Sequence, residues 1–211
     1  GEAPLRRERV VPEWERPEAG RVAQPLSSRG MTNLAGRGAQ PFKATQLPSL
    51  EGSPVQYVII TDEIQAPEYQ RLADWKTASG VPAVVRTLSF IKQEYPFGSD
   101  DAERIRMFLR DAYTRWGTKF ALLGGDTDVL PTRFPYTLFY GGNYIATDLY
   151  YSCLDGNWYA DGDSLYGEGY YSAAQPGDVI DLFPEVYVGR GPPVTAAQAK
   201  QFVDKSLFYQ Q

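Results

Sequence analysis

Apolar positions are scattered without a period up to about residue 53, and from Val55 onward they fall into blocks with two alternating spacings. Four blocks are short and rich in β-branched and aromatic residues: VQYVIIT from Val55, VPAVVRT from Val81, KFALLGG from Lys119 and EVYVGR from Glu185. These predict strands, and the nearly unbroken apolar run of KFALLGG is that of a strand covered on both faces. The blocks between them follow a helical spacing. APEYQRLADWKTASG predicts a helix closed at Gly80, LSFIKQEY a short helical turn, and Asp100 to Gly117 a long helix. In that last segment Asp100 and Glu103 make a start resembling a capping box, and Ile105, Phe108, Leu109, Ala112, Tyr113 and Trp116 recur at i, i+3, i+4. Thr195 with Gln198 opens a final helix whose inner face is Ala199, Phe202, Val203 and Leu207.

Strand, helix, strand, helix, strand in that order implies right-handed crossovers and a mostly parallel sheet within a three-layer α/β sandwich. The body so predicted covers residues 54–211, and residues 1–53 read as an extended arm. Prolines at 12, 17, 25, 41 and 48 forbid long helices in the arm. Between the third and fourth strand blocks lies an excursion from Thr132 to Asp181, rich in Gly, Tyr and Asp. A connection of that length in a compact domain has a function or a ligand that organises it. Its tyrosines, from Tyr136 to Tyr171, read as packing for the excursion, with a carbohydrate or peptide platform as the other reading.

Composition narrows the function. Residues 1–50 carry eight Lys/Arg against five Asp/Glu, while the rest carries 13 against 21, so a basic arm precedes an acidic body. An acidic body repels phosphate, which argues against nucleic acid as a partner. No apolar run approaches the roughly 20 residues of a membrane span, and no secretory signal pattern opens the chain. There is no histidine, and Cys153 is the only cysteine. A Cys-His dyad, a disulfide framework and a multi-cysteine zinc site are therefore excluded within this chain. Cys153 itself, in LYYSCLDG, reads as a small buried hydrophobe. GGDTD lacks the GK[ST] of a phosphate-binding loop, and no GxGxxG follows the first strand.

The candidate chemistry lies in the acids. Asp126 falls at the carboxyl end of the third strand, where ligands gather in open α/β sheets, and Asp181 and Glu185 flank Pro184 where the chain re-enters the sheet. Convergence of these acids would need a cation or a basic group among them, and Ca2+, which accepts six to eight oxygens in flexible geometry, suits such a set. The alternative is that each acid caps a turn or helix. A second group, in LDGNWYADGDSLYGE, is Asp155, Asn157, Asp161, Asp163 and Glu168. Its Asp-x-Asp spacings with glycine allow a loop to wrap oxygens around calcium, although the EF-hand register is absent. A solvated acidic turn is the other reading.

Several motifs recur in order: YVIIT, ADWKTASGVPAVV, DAYTRWG, LLGGDTDVLP, TDLYYS, DLFPEVYVGR and VDKSLFY, spanning Val55 to Tyr209. Together they resemble the amino-terminal subdomain of the gingipain-type cysteine peptidases, a family with a caspase-like fold. The resemblance implies a calcium site at Asp126, Asp181, Glu185 and the Phe183 carbonyl. It also implies a partner, a second subdomain or chain that carries the catalytic His and Cys, with polypeptides as substrates and a secreted or cell-surface location. On that reading this half is non-catalytic and supports chemistry housed elsewhere, and the Arg-rich arm is a candidate prosegment. The alternative is a non-enzymatic calcium-binding adhesion or assembly module that keeps the fold without the chemistry.

Overall fold

The computed structural model describes residues 41–137, 142–163, 165–169 and 177–210. The chain divides into residues 1–40 and 41–211. The first of these, which holds the Arg-rich stretch expected to be an arm or prosegment, lies outside the described residues. So do Tyr140, Tyr170 and Tyr171 of the tyrosine-rich excursion.

Four parallel strands form the sheet: β1 (Tyr57–Thr61), β2 (Ala83–Thr87), β3 (Phe120–Gly124) and, later in the chain, a strand at Tyr187–Gly191. Two short antiparallel strands intervene, β4 (Tyr136–Thr137) and β5 (Asn143–Tyr144), so the strand at Tyr187–Gly191 is β6. The order across the sheet is β2-β1-β3-β6, with Tyr57 level with Ala83 and Phe120, and Phe120 level with Tyr187.

Strand alternation divides the apolar residues between two cores. Val58, Ile60, Ala121 and Leu123 face one side. There they pack against α2 (Leu88–Glu94), α3 (Asp101–Asp111) and α4 (Leu149–Ser152) through Ile91, Ile105, Phe108, Leu109, Tyr150 and Tyr151. Ile59 and Leu122 face the other side, against Tyr69, Leu72 and Ala73 of α1 (Ala66–Ala78) and Ala199 and Val203 of α5 (Ala196–Tyr209). The fold is thus a three-layer α/β sandwich. Each fully buried isoleucine contributes about 2 kcal/mol of apolar transfer.

The helix expected from Asp100 to Gly117 changes character part-way. α3 runs into a π-helical turn, Ala112–Trp116, and stops at Gly117, whose φ of 70° only glycine adopts freely. Trp116 and Ala112 stay buried, whereas Tyr113, at the edge of the apolar stripe, is 39% exposed. The start also differs from a closed capping box. Asp100 accepts the Glu103 N–H at 2.8 Å, but the Glu103 carboxylate turns outward to the N–H of Ser99 at 2.6 Å. At α5 both halves of the box are present, from Thr195 and Gln198.

Residues 41–53 form neither helix nor strand. Arg86 on β2 donates to the carbonyls of Gln46 and Thr45, both at 2.9 Å, and the Trp116 indole N–H donates to Thr45 Oγ1 at 3.0 Å.

Candidate functional site

The turn after β3 is held from within. The Asp126 carbonyl accepts the N–H groups of Val129 and Leu130, both at 2.9 Å, and its Oδ1 accepts the Thr127 N–H at 2.8 Å. Asp126 N–H donates to the Pro193 carbonyl at 3.1 Å, which places Asp126 beyond the carboxyl end of β6 as well as of β3. The cation at this end is Arg190. Its guanidinium bonds Asp148 twice, at 2.7 and 2.8 Å, and the carbonyls of Gly125 and Leu130 at 2.8 and 3.0 Å.

Asp181 and Glu185 lie at the other end. Because β6 runs parallel to β3 with Tyr187 level with Phe120, the residues before Tyr187 sit at the amino end of the sheet. Five-residue strands separate them from Asp126, roughly 16 Å of strand at about 3.3 Å per residue. Asp126 therefore does not join Asp181 and Glu185, which corrects the expected convergence on one cation. A strand-end acid and a strand-start acid meet only across an antiparallel pair, and this pair is parallel.

Glu185 and Asp181 have local partners instead. The Glu185 carboxylate accepts the Leu154 N–H at 2.6 Å, and Asp181 Oδ1 accepts the N–H of Phe183 at 2.8 Å. Burial pushes the Glu185 carboxyl above its ordinary range, against the Leu154 hydrogen bond and with Asp155 adding repulsion. Phe183 is 64% exposed. Cys153, fully buried nearby, has its thiol raised by burial and by the charges of Glu185, Asp181 and Asp155. It is a packed hydrophobe, not a poised nucleophile.

The excursion does assemble a carboxylate cluster. Asp161, Glu168 and Asp178 each offer an oxygen, and the three oxygens lie within 4.8 Å of one another. Three segments converge to make it. Asn157 and Val179 exchange N–H···O bonds at 2.7 and 3.0 Å, Asp178 N–H donates to the Glu168 carbonyl at 2.9 Å, and Gly167 N–H donates to the Trp158 carbonyl at 3.1 Å. The Asp178 side chain accepts the N–H groups of Ala160 and, at 2.6 Å, Gly167. Glu168 is 3% exposed, and its Oε2 has no hydrogen-bond partner. Burial, with the charges of Asp178, Asp163 and Asp161, pushes its carboxyl up to about 7.

Of the acids expected in this loop, Asp161 and Glu168 enter the cluster, while Asp155 and Asp163 do not. Asp163 and Asn157 cap turns, accepting the N–H groups of Leu165 at 2.5 Å and Tyr159 at 3.0 Å, and the Asp155 backbone carbonyl accepts Arg106 at 2.6 Å. Beside the cluster lies a pocket of about 520 Å³ whose walls include Arg106, Arg133, Tyr150, Trp158, Tyr159 and Tyr166. Arg133 sits over the rings of Tyr166 and Tyr150, 4.4 and 4.6 Å from their centroids.

Residues 51–211 match the model of peptidase family C25. The chain belongs to this family, that of the gingipains. Among solved structures, this C25 chain is similar to dimeric latent PorU from Porphyromonas gingivalis, with 22% identity and a TM-score of 0.51. That alignment covers 72% of this chain and 15% of PorU. It is also similar to the complex of Porphyromonas gingivalis RgpB pro- and mature domains, at 20% identity and a TM-score of 0.49, over 73% of this chain and 29% of that one. A structure described as a protease matches at 21% identity and a TM-score of 0.49, over 76% and 29%. No curated protein matches. The C25 chain thus spans less than a third of the length of each of these three chains. No helix among the described residues is long and apolar enough to cross a membrane.

Two residues of this C25 chain carry more of the site than their sequence context suggests. Asp178 is separated from Glu168 by residues 169–177, and only its Gly-Asp step marks it. Arg190 has a clearer signal, since it is the one charge in a strand that otherwise reads YVGG.

Proposed function

We propose that this chain is the amino-terminal, non-catalytic subdomain of a cysteine endopeptidase, supporting a second subdomain that supplies the catalytic His and Cys. The family match over residues 51–211 carries this reading. The chain has no histidine, and its one cysteine is fully buried, so a C25 activity has to draw its dyad from outside these residues. The sheet offers a place for such a partner. β6 is one of its two edge strands and, among the described residues, pairs on one side only, with β3. An open strand edge is a template for further pairing. At the end of α5 next in the chain, Phe208 and Tyr209 are 75% and 83% exposed, apolar surface of the kind a docked subdomain covers. The substrates are polypeptides, and the protein acts at the cell surface or after secretion.

The experiment compares this chain with a longer product of the same gene that includes the proposed second subdomain. Hydrolysis of a denatured protein is measured with each, before and after a thiol alkylating agent. Activity confined to the longer product and abolished by alkylation is the expected result. Hydrolysis by this chain alone, or alkylation-insensitive activity in the longer product, overturns the reading.

A further inference from the structure

We infer that Asp161, Glu168 and Asp178 form a binding centre for one divalent cation with the coordination habits of calcium. The geometry supplies three oxygens within 4.8 Å, from three segments of the excursion. An acidic cluster alone would be no more than a solvated turn, but two of the three acids here are buried. Glu168 is 97% buried, one oxygen of its carboxylate belongs to the cluster, and its Oε2 is buried with no hydrogen-bond donor of its own. Burying such an oxygen uncompensated costs on the order of 1–3 kcal/mol, more for a charged group. A cation removes that cost, as does a proton.

The rest of the site has the features a cation needs. Asp178, 9% exposed, is fixed by the N–H groups of Ala160 and Gly167, so its carboxylate is oriented before any ligand arrives. Each of its oxygens keeps a lone pair for a metal. Asp161 is exposed and marks the open side, where water completes the shell. A site with one exposed and two buried carboxylates suits calcium, which tolerates six to eight oxygens in irregular geometry. Magnesium demands a near-octahedral set and keeps most of its waters. The chain supplies no histidine, and its one cysteine lies outside the cluster, so softer metals find no favoured ligand.

Binding has a structural consequence. Trp158, Tyr159 and Tyr166 line the adjacent pocket and sit one to three residues from the cluster's ligands or their backbone partners. A cation that ties the three segments therefore also fixes one wall of that pocket. Trp158 packs edge-on to Tyr150, linking the wall to α4 and the main core.

The test uses the full chain after chelation and removal of the chelator. Calcium chloride is titrated by calorimetry near neutral pH, and terbium chloride by luminescence sensitised through the nearby tyrosines and Trp158. One calcium per chain is expected, with calcium displacing terbium and magnesium chloride at least tenfold weaker. Asp161→Asn and Glu168→Gln should each weaken calcium at least tenfold, whereas Asp74→Asn, on the exposed side of α1 away from the excursion, should leave it within twofold. Circular dichroism checks that each variant is folded, and the exposed position of Asp161 keeps that variant informative if Glu168→Gln misfolds. Absence of calcium binding, unchanged affinity in folded Asp161→Asn, or magnesium binding as tight as calcium overturns the proposal. Because the readout is binding and not hydrolysis, these outcomes are separate from those that test the peptidase reading.

Discussion

Arg190 grips Asp148 through two hydrogen bonds of 2.7 and 2.8 Å, and the same guanidinium takes the carbonyls of Gly125 and Leu130. One planar cation thereby joins β6, the turn after β3 and the entry to α4. Its side chain is 14% exposed and that of Asp148 25%, so the pair is largely withdrawn from water. Breaking a partly buried pair of this kind by removing one partner costs about 3–5 kcal/mol, because the other charge and two carbonyls lose their donor. Arg190→Ala should therefore lower unfolding free energy by about 3 kcal/mol in urea denaturation. Arg190→Lys should recover less than half of that, since an ammonium cannot bond the carboxylate twice and still reach both carbonyls.

A second constraint sits at the carboxyl end of β3. A Cβ on Gly124 would lie 2.6 Å from Cε2 and Cζ of Tyr69, whose ring is fully buried between α1 and the sheet. The strand can approach the helix this closely only without a side chain. Gly124→Ala should destabilise by about 1–3 kcal/mol through overpacking. Pairing it with Tyr69→Leu, which opens space under the strand, should recover part of the loss, a coupling that a double-mutant cycle measures directly.

How far the chain discloses this architecture depends on the range of the interactions involved. The four sheet strands and the helices from Ala66, Asp101 and Ala196 are legible because each writes its own period in apolar residues. The edge position of β6 is not, since strand order is decided by crossovers between distant segments. The same limit explains Asp126 and Glu185. Each is visibly at a strand end, but only the parallel register of Phe120 with Tyr187 decides that the ends are opposite ones. α4 and the β4-β5 pair are hidden inside the excursion because their four- and two-residue lengths are too short to carry a period. Asp161 and Glu168 can be read from DGDSLYGE, whereas Asp178 joins them only through the pairing of Asn157 with Val179.

Acid should loosen the start of α3 in a specific way. Glu103 Oε2 accepts both the hydroxyl and the N–H of Ser99 at 2.6 Å, and these hydrogen bonds hold its carboxyl below the ordinary value of 4.5. The folded state thus binds this proton less readily than the unfolded chain. The stabilisation is complete above about pH 4.5 and fades as pH falls through the lowered value. Glu103→Gln should cost about 1 kcal/mol near neutral pH. The difference between variant and wild type should shrink steadily below pH 4.5, as read from urea midpoints across the acid range. A difference that stays constant with pH would show that the charge is not what holds Ser99.

Glu168 allows a test in which the size of the effect changes with the ligand. Without a cation, its buried carboxylate faces Asp161 and Asp178, and its Oε2 has no donor. Replacing it by Gln removes one of three clustered charges and supplies an N–H₂ that can bond the remaining two. In chelator at mildly alkaline pH, Glu168→Gln should therefore melt higher than the wild type, by an amount corresponding to about 1–2 kcal/mol. With calcium in hundredfold excess over its dissociation constant, the wild type gains about 2.7 kcal/mol by mass action. The variant, binding at least tenfold more weakly, gains about 1.4 kcal/mol or less. The advantage of the variant should accordingly shrink by about 1.3 kcal/mol or more as calcium is raised. Parallel thermal melts in chelator and in calcium measure this, and a variant that keeps the same advantage in both would mean that Glu168 meets no cation.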